Sequence, residues 1–292
     1  MYKLRLMIII VFTTSLNAQA APVLIGPGIV STTDGEYSPT YDPKRGELVF
    51  MRRTPGQFDY TLYVSERDGT GWRTPTVLPF SGASRDGGAA FSPDGERLLF
   101  DSARPDRRVT ARSINIWRAA RNDGGWGAPE LVESASVNRD GEPAAGLDEF
   151  GPIETADGTV VFYSFRQPFR EGAPYTVSGE AQPTRSATLP DPSASTFVGY
   201  LTLSTSGALA VIEGRSRTGR DTDLFYSCRS GGVWSEPLPI EAANSTYGDG
   251  TPYLTSDGKS LLFASGRPTG DSRATVSSLY SIELATLDLP CS

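Results

Sequence analysis

Two charged residue types recur along the chain at positions that could bind a ligand or an ion. An aspartate–glycine pair stands before the expected inner strand at four places, Asp34, Asp86, Asp140 and Asp249. Arginine follows short apolar runs at Arg104, Arg166, Arg215 and Arg267, with Arg53 one place early. A ring of carboxylates suits a hard cation that takes several oxygen ligands, and guanidinium groups bind carboxylate or phosphate groups.

Three interpretations of these charges are open. The aspartates and arginines would pair with each other and staple neighbouring repeats together. Alternatively, Asp34, Asp86, Asp140 and Asp249 would hold Ca²⁺, the one cofactor we consider, in a partial ring. In the third interpretation, the arginines grip a carboxylate or phosphate group of a ligand, and Glu142 adds a further carboxylate to the same surface.

Most catalytic chemistries are excluded by composition. The chain has no histidine, which rules out a Ser-His-Asp triad and any histidine-ligated metal site. Glycosidase-like or lyase-like catalysis by two carboxyl groups remains, with Asp34, Asp86, Asp140 and Glu142 as candidates. Because similar acids recur wherever the repeat recurs, their presence alone argues weakly for catalysis, and we assign no catalytic residue.

A tight turn followed by an apolar strand recurs about every fifty residues and must position these charges. The turns are Asp42–Gly46, Ser92–Gly95, Thr155–Gly158, Ser204–Gly207 and Thr255–Gly258. A period of roughly 40–50 residues in an all-strand context is typical of propeller blades. The sequence therefore predicts an all-β fold, a five-bladed β-propeller of four-stranded antiparallel blades.

The ends of the chain predict how the ring closes. Fourth strands open at Trp72, Trp126 and Trp234, each shortly before a proline that an edge strand tolerates. Blade three is degenerate, with Tyr175–Val177 and Ala187–Leu189 as its third and fourth strands. Blade five lacks a fourth strand, which we expect the N-terminal segment Pro22–Ile25 to supply, unless Ala285–Pro290 does so.

Alternating strand directions assign the loops to two faces. Loops after strands two and four open on what we call the upper face, and the tight turns after strands one and three form the lower face. The recurring charges fall on the upper face, which we predict to bind ligand. About nine extra residues between Val137 and Gly151 lie there too, either as a binding loop or as neutral variation in length.

The turns and strands resemble TolB-like propeller repeats, a WD-like group named for its proline–aspartate turn. Ser92–Gly95 with Leu98–Phe100, and Gly248–Pro252 with Ser256–Gly258, carry the resemblance. It implies an exported propeller but does not define a function. We expect neither the additional N-terminal α/β domain of TolB nor an OmpA-like segment, so a role in the Tol–Pal system is not implied.

The first residues predict export. Lys3 and Arg5 precede the apolar run Leu6–Phe12, and Ala18–Ala20 has the form of a cleavage signal. We expect residues 1–20 to be a signal peptide, residues 21–292 to form a single propeller domain, and the product to be periplasmic or secreted without a membrane span. Cys228 and Cys291 form one disulfide in that compartment, or else remain a buried and a free thiol.

The net charge disfavours nucleic acid as a partner, since it is −7 for the whole chain and −9 without Lys3 and Arg5. We predict a monomeric, non-catalytic binding module whose partner is an envelope protein or a carbohydrate or cell-wall fragment. The alternatives are the carboxylate enzyme at the central channel and a purely structural scaffold.

Overall fold

A computed structural model describes residues 21–53, 59–108, 113–132, 134, 148–164, 173–179, 181–186, 199–215, 221–270 and 276–291. Five antiparallel sheets form a five-bladed β-propeller, which confirms the predicted fold class. Within these residues, no helix has the length and apolar character needed to cross a bilayer. The predicted signal peptide lies outside the described residues.

Each blade runs from an inner strand at the channel to short outer strands. Blade 1 comprises β2 Glu36–Asp42, β3 Glu47–Arg53, β4 Tyr60–Asp68, β5 Gly71–Trp72 and β6 Thr76–Val77. Blade 2 comprises β7 Asp86–Phe91, β8 Arg97–Ser102, β9 Asn115–Asn122, β10 Gly125–Trp126 and β11 Glu130–Leu131. Blade 3 comprises β12 Glu149–Glu154, β13 Val160–Ser164, β14 Ala173–Val177 and β15 Thr184–Arg185.

The last two blades complete the ring. Blade 4 comprises β16 Leu201–Leu203, β17 Leu209–Arg215, β18 Thr222–Ser230, β19 Val233–Trp234 and β20 Leu238–Pro239. Blade 5 comprises β21 Asp249–Leu254, β22 Ser260–Ser265 and β23 Ser278–Glu283, with β1 Val23–Leu24 as its outer strand. The predicted closure by the N-terminus is thus observed, and Leu284–Thr286 forms a 3-10 turn instead of the alternative strand.

The second strand is the most buried because neighbouring blades cover both of its faces. Phe50, Phe100, Phe162 and Phe263 at its centre are at most 1% exposed. Apolar side chains then join each blade to the next, in one cluster for each of the five junctions. The core is therefore a set of interblade layers, as expected for repeats that cannot bury their faces alone.

Proline divides the outer strand in three blades. Pro75, Pro129 and Pro237 fall between the two short outer segments of blades 1, 2 and 4. Blade 3 differs from prediction, because Thr184–Arg185 pairs with β14 as the outer strand. The segment proposed for that role, Ala187–Leu189, lies outside the described residues.

The inner strands share a bulge beside the central channel. In blades 1, 2, 3 and 5 the pairing register shifts around Ser38, Gly88, Gly151 and Thr251. Each of these four residues has a positive φ between 46° and 54°. The bulge turns their backbone toward the channel, where they line a small cavity with Tyr200 of blade 4.

A disulfide joins Cys228 of β18 to Cys291 in the C-terminal tail, with the two Cα atoms 5.7 Å apart. Of the two interpretations left open by the sequence, the structure has the bridged form.

Candidate functional site

Two of the recurring acids, Asp86 and Asp249, are buried within their blades beside an arginine. Asp86 is 0% exposed, and its carboxylate accepts hydrogen bonds from Ser81 at 2.7 Å and Ser102 at 2.6 Å. Arg104 donates to the same carboxylate at 2.7 Å and to the Phe80 carbonyl at 3.2 Å. The pair therefore joins two strands of blade 2 to the segment arriving from blade 1.

Blade 5 repeats this arrangement. Arg267 donates to the buried carboxylate of Asp249 at 2.8 Å, to Ser265 at 2.7 Å and to the Ala243 carbonyl. Ser245 supplies two further bonds to Asp249. Hence the prediction that these acids and arginines pair is correct, but they pair within one blade and reach only the linker from the blade before it.

In blade 1 the predicted residues were misaligned. Glu36 and Arg52 form the equivalent buried pair, with Nε and Oε1 3.0 Å apart, whereas Asp34 and Arg53 are exposed. The physical reason is strand length: the paired acid stands six residues before the first residue of its turn in each of these blades. Asp34 precedes glycine like Asp86, but it is two residues too early to begin the strand.

Each of these arginines also lies over two aromatic rings of its blade. The guanidinium of Arg104 is 4.8 Å from the Phe100 ring and 5.3 Å from the Trp117 ring. Arg52 and Arg267 lie at similar distances from Phe50 with Tyr63 and from Phe263 with Tyr280. A buried carboxylate needs such a partner, so we name these pairs the acid–arginine latches.

The predicted ring of calcium ligands is not formed by the described aspartates. Asp86 and Asp249 are enclosed by the latches and Asp34 is exposed. Among the described residues, no group of three or more acidic, cysteine or histidine side chains is placed to hold a metal ion. Asp140, the fourth predicted ligand, lies outside these residues.

Some of the remaining predicted positions lie outside the residues that the structure describes. In blade 3, Glu149 begins β12 as a buried acid and accepts a bond from Ser164 at 3.4 Å. Arg166 and Glu142 lie outside the described residues, as does most of the extra segment before β12. Arg215 is described and exposed at the end of β17.

A different pair of carboxylates departs from the repeat beside the channel. The register of the second strands aligns Met51, Asp101, Tyr163, Glu213 and Ala264 at one position near the upper face. Only blades 2 and 4 carry an acid there. Because the fold does not require a carboxylate at this position, Asp101 and Glu213 are candidates for function.

Asp101 is fully buried beside a half-buried arginine. Arg85 donates to Asp101 Oδ1 at 2.7 Å, and the Gly151 backbone N–H of blade 3 donates to Oδ2 at 3.2 Å. Burial lowers the pKa of Arg85, but the charge and hydrogen bond of Asp101 outweigh it and the pKa is raised overall. Glycine at position 88 makes room for this acid, since a Cβ atom there would lie 2.0 Å from Oδ2.

Glu213 has an equivalent place between blades 4 and 5, and among the described residues no arginine is bonded to it. The Thr251 N–H donates to Oε2 at 2.8 Å. Burial raises the pKa of Glu213 to about 7, although this hydrogen bond lowers it. A carboxyl group with such a pKa is protonated in part at neutral pH and can donate a proton.

Tyr200 narrows the channel between these two acids. Tyr200 stands four residues before its turn, as do Ser38, Gly88, Gly151 and Thr251 in the other blades. The cavity that these five residues line in the channel measures only about 20 Å³. A Cβ atom on Gly151 would lie 2.7 Å from the Tyr200 ring, so glycine admits the ring. Burial and, next, the negative charge of Asp101 raise the pKa of the Tyr200 hydroxyl, with Glu213 adding to the effect.

Three half-buried aromatic residues surround this group on the upper face. Tyr37 and Tyr60 make an edge contact with ring centroids 5.7 Å apart. The Arg85 guanidinium lies 5.9 Å from the Tyr60 ring and 5.7 Å from the Phe150 ring. We call Arg85, Asp101, Tyr200 and Glu213 the channel site, and Tyr37, Tyr60 and Phe150 the mouth aromatics.

Sequence reasoning missed the channel site because it compared loops and turns. Asp101 and Glu213 lie within second strands, directly after the apolar runs ending at Phe100 and Ile212. Alignment of those runs would have revealed that an acid replaces an uncharged residue in two of five blades. Their convergence on Tyr200 could only be found in three dimensions.

Comparison with known proteins identifies the fold alone. No protein-family model matches the sequence, and no curated protein matches it either. Among solved structures, a thermostable family-43 glycoside hydrolase is 10% identical with a TM-score of 0.58, over 90% of this chain and 92% of that one. The GH43 endo-arabinanase from Bacillus licheniformis is 12% identical with a TM-score of 0.55, over 87% and 96%.

TolB from Acinetobacter baumannii is another similar structure, at 17% identity and a TM-score of 0.49. The match covers 90% of this chain, which spans 63% of the length of that TolB chain. At these low identities the similar structures show the propeller fold alone, so function must be argued from the site.

Proposed function

We propose that this protein is an exported propeller that binds a carbohydrate at the upper-face mouth of its channel. The observation that carries the proposal is the arrangement of mouth aromatics around Arg85 and Asp101. Sites for small ligands combine aromatic walls with a few convergent polar groups. Here the polar groups depart from the repeat, so the repeat's own stability does not account for them.

The chemistry of the mouth suits a sugar ring. The half-buried faces of Tyr60 and Phe150 offer apolar surface to the C–H face of such a ring, as aromatic side chains have an apolar body. The half-buried Arg85 guanidinium, which Asp101 holds in place at 2.7 Å, donates hydrogen bonds that the oxygen atoms of sugar hydroxyl groups accept. Of the expected partners, an envelope protein or a carbohydrate or cell-wall fragment, the mouth chemistry favours the carbohydrate.

A binding experiment tests the proposal. Arabino-, xylo- and cello-oligosaccharides would be titrated into the protein by isothermal calorimetry. We expect at least one to bind, and Tyr60→Ala to weaken its binding about tenfold or more. Tyr247→Ala is the matched control, because Tyr247 is 46% exposed on the same face and is not a mouth aromatic. Absence of binding, or equal effects of both substitutions, would contradict the proposal.

Hydrolysis of the bound carbohydrate is a second candidate function, favoured by the unlike environments of Asp101 and Glu213. Asp101 is ion-paired with Arg85, whereas burial raises the pKa of Glu213 to about 7. Two carboxyl groups in such different states can act as base and acid in cleaving a glycosidic bond. This mechanism requires Tyr200 to move out of the channel, because Asp101 is 0% exposed. Glu213 then protonates the leaving oxygen, and Asp101 activates water or attacks the sugar.

Release of reducing ends separates the two functions. If the protein is a hydrolase, Glu213→Gln should abolish release while retaining binding, and wild-type activity should fall as pH rises through about 7 because Glu213 loses its proton. If the wild-type protein binds an oligosaccharide but releases nothing, binding is the function and hydrolysis is excluded for that substrate.

A further inference from the structure

The lower face carries three equivalent pairs of arginine and tryptophan. Arg67 pairs with Trp72, Arg121 with Trp126 and Arg229 with Trp234 across the same hairpin of blades 1, 2 and 4. The guanidinium carbon lies 4.2 Å from the indole ring in blades 1 and 2, but 5.9 Å from it in blade 4. The third pair is therefore more open than the first two.

In blades 1 and 2 a second aromatic side chain packs against the tryptophan of the pair. Tyr41 meets the Trp72 ring edge-on at 6.0 Å, and Phe91 stacks on Trp126 at 6.1 Å. Tyr41 and Phe91 lie in the inner strand of their blades, β2 and β7, and each directly precedes the first residue of the tight turn. In blade 2 the guanidinium of Arg121 is also paired with the Glu47 carboxylate of blade 1.

Blade 4 lacks both the ring and the carboxylate. The residue equivalent to Phe91 is Leu203, which remains partly exposed. The residue of blade 3 equivalent to Glu47 is Thr159, whose hydroxyl is 2.8 Å from that of Ser178. At this junction a pocket of about 570 Å³ opens, lined by Leu203, Arg229 and Trp234 among others. We call it the lower pocket.

Arg229 is the positive charge of the lower pocket, and the nearby acids are already engaged. Glu154 accepts a bond from Arg97 at 3.0 Å. Asp157 accepts bonds from the Thr155 hydroxyl at 2.6 Å and the Thr159 N–H at 3.1 Å. Within the part of the chain that the structure describes, no carboxylate pairs with Arg229.

We propose that the lower pocket binds a six-membered ring that carries a carboxylate. The ring would lie over Trp234 as Phe91 lies over Trp126, and the carboxylate would meet Arg229 as Glu47 meets Arg121. Serine and threonine hydroxyls, including those of Thr159, Thr176 and Ser204, line part of the pocket, beside apolar side chains such as Val161. Because hydroxyl groups both donate and accept hydrogen bonds, they favour a hydroxylated ring, and we assign the ligand to the uronic acid class.

Binding of three soluble compounds to the wild-type protein tests this assignment: glucuronate, 4-hydroxybenzoate and glucose. Binding would be followed by the chemical shift of the indole N–H resonances and by calorimetry. We expect glucuronate to bind and glucose, which lacks the carboxylate, to bind at least tenfold more weakly. If 4-hydroxybenzoate binds and glucuronate does not, the ligand is an aromatic acid and the uronic acid assignment is wrong.

Two substitutions rebuild the closed junction of blades 1 and 2 inside the lower pocket. Leu203→Phe supplies the missing ring and Thr159→Glu the missing carboxylate, so each should lower glucuronate affinity at least tenfold without lowering Tm. Arg229→Ala should remove the preference for glucuronate over glucose. Arg121→Ala is the matched control, since it breaks a closed pair and should lower Tm while leaving glucuronate binding unchanged.

Two results would overturn the proposal: no carboxylated ring binds the wild-type protein, or a folded Leu203→Phe variant binds glucuronate as tightly as wild type. The outcome is independent of the upper-face function. Tyr60→Ala should leave glucuronate binding intact, and Leu203→Phe should leave oligosaccharide binding at the channel mouth intact. Failure at one face therefore does not imply failure at the other.

Discussion

At the scale of single residues, the same chemical type serves two purposes in this molecule. Asp86 and Asp249 are acids that hold their blades together, since each is fully buried against an arginine. Asp101 and Glu213 are acids at a position where the other blades have none. An acid that recurs at the same position in several blades is therefore structural, whereas an acid at a position that is uncharged in the other blades marks a candidate site.

Removing one partner of a latch should destabilise the protein strongly. Arg104→Ala leaves Asp86 buried without its cation, and breaking a buried pair in this way costs about 3–5 kcal/mol. The free energy of unfolding from urea denaturation measures the loss. The control is Arg73→Ala, which breaks an ion pair with Glu66 whose side chains are 62% and 52% exposed, and it should change stability little. If both substitutions lower the free energy of unfolding equally, burial does not determine how much an ion pair stabilises this protein.

Glu213 should give the protein a pH-dependent stability of recognisable sign. Its pKa is about 7 in the folded chain against an ordinary value of 4.5, so the unfolded chain releases its proton first as pH rises. The folded state thus loses about 3 kcal/mol from this group between pH 4.5 and 7.

Glu213→Gln keeps the acceptor for the Thr251 N–H and removes the titration. The variant should gain stability relative to wild type as pH rises from 4.5 to 7, measured as the difference in unfolding free energy. Glu241→Gln, at an exposed position, should follow wild type throughout. If the difference in unfolding free energy between Glu213→Gln and wild type is constant across that range, the pKa of Glu213 is not raised in the folded protein.

At the scale of elements, the sequence defined strands better than side-chain roles. Leu98–Phe100 and its equivalents predicted the second strands because continuous apolar runs suit strands covered on both faces. Blade 3 was harder, since the residues after Val177 carry no tryptophan and proline pair like Trp126 with Pro129. The bulges at Ser38 and Thr251 were not predictable, because neither residue type announces a positive φ.

The short closing strand should matter more than its length suggests. A chain beginning at Gly28 lacks β1, which pairs with β23, and lacks Ile25, which is 6% exposed in the core between blades 5 and 1. We expect a lower Tm and concentration-dependent association, because β23 becomes an open sheet edge. Thermal scans and light scattering measure both effects.

A chain beginning at Val23 is the control, since it retains the strand and should behave as the chain beginning at Ala21. If the chain beginning at Gly28 stays monomeric with an unchanged Tm, the closing strand does not seal the ring.

At the scale of the whole molecule, approximate fivefold repetition produces a platform that is used unequally. The number of blades followed from turn spacing. Closure by the N-terminus was predicted from the missing fourth strand of blade five, with Ala285–Pro290 as the alternative. The unequal features followed from neither: Tyr200 fills the channel, and the lower pocket opens at a single junction. Such differences depend on which side chains meet across blades, which a repeat pattern does not specify.

The disulfide should contribute to the stability of the whole ring. It closes a segment of 63 residues between Cys228 and Cys291, for which chain entropy suggests about 4 kcal/mol. Reducing agent should therefore lower the Tm of the wild-type protein. The double variant with Cys228→Ser and Cys291→Ser should melt at that lower temperature with or without reductant. A wild-type Tm insensitive to complete reduction would show that the bridge adds nothing.

The shared fifth blade also constrains the order in which the protein can fold. Its outer strand, Val23–Leu24, leaves the ribosome before the other strands of the propeller, and its partner Ser278–Glu283 leaves last among them. Early blades can acquire structure during synthesis, but the circle stays incomplete until translation is nearly finished. A nascent chain stalled after blade 4 would thus carry an unpaired leading segment, a natural target for a chaperone.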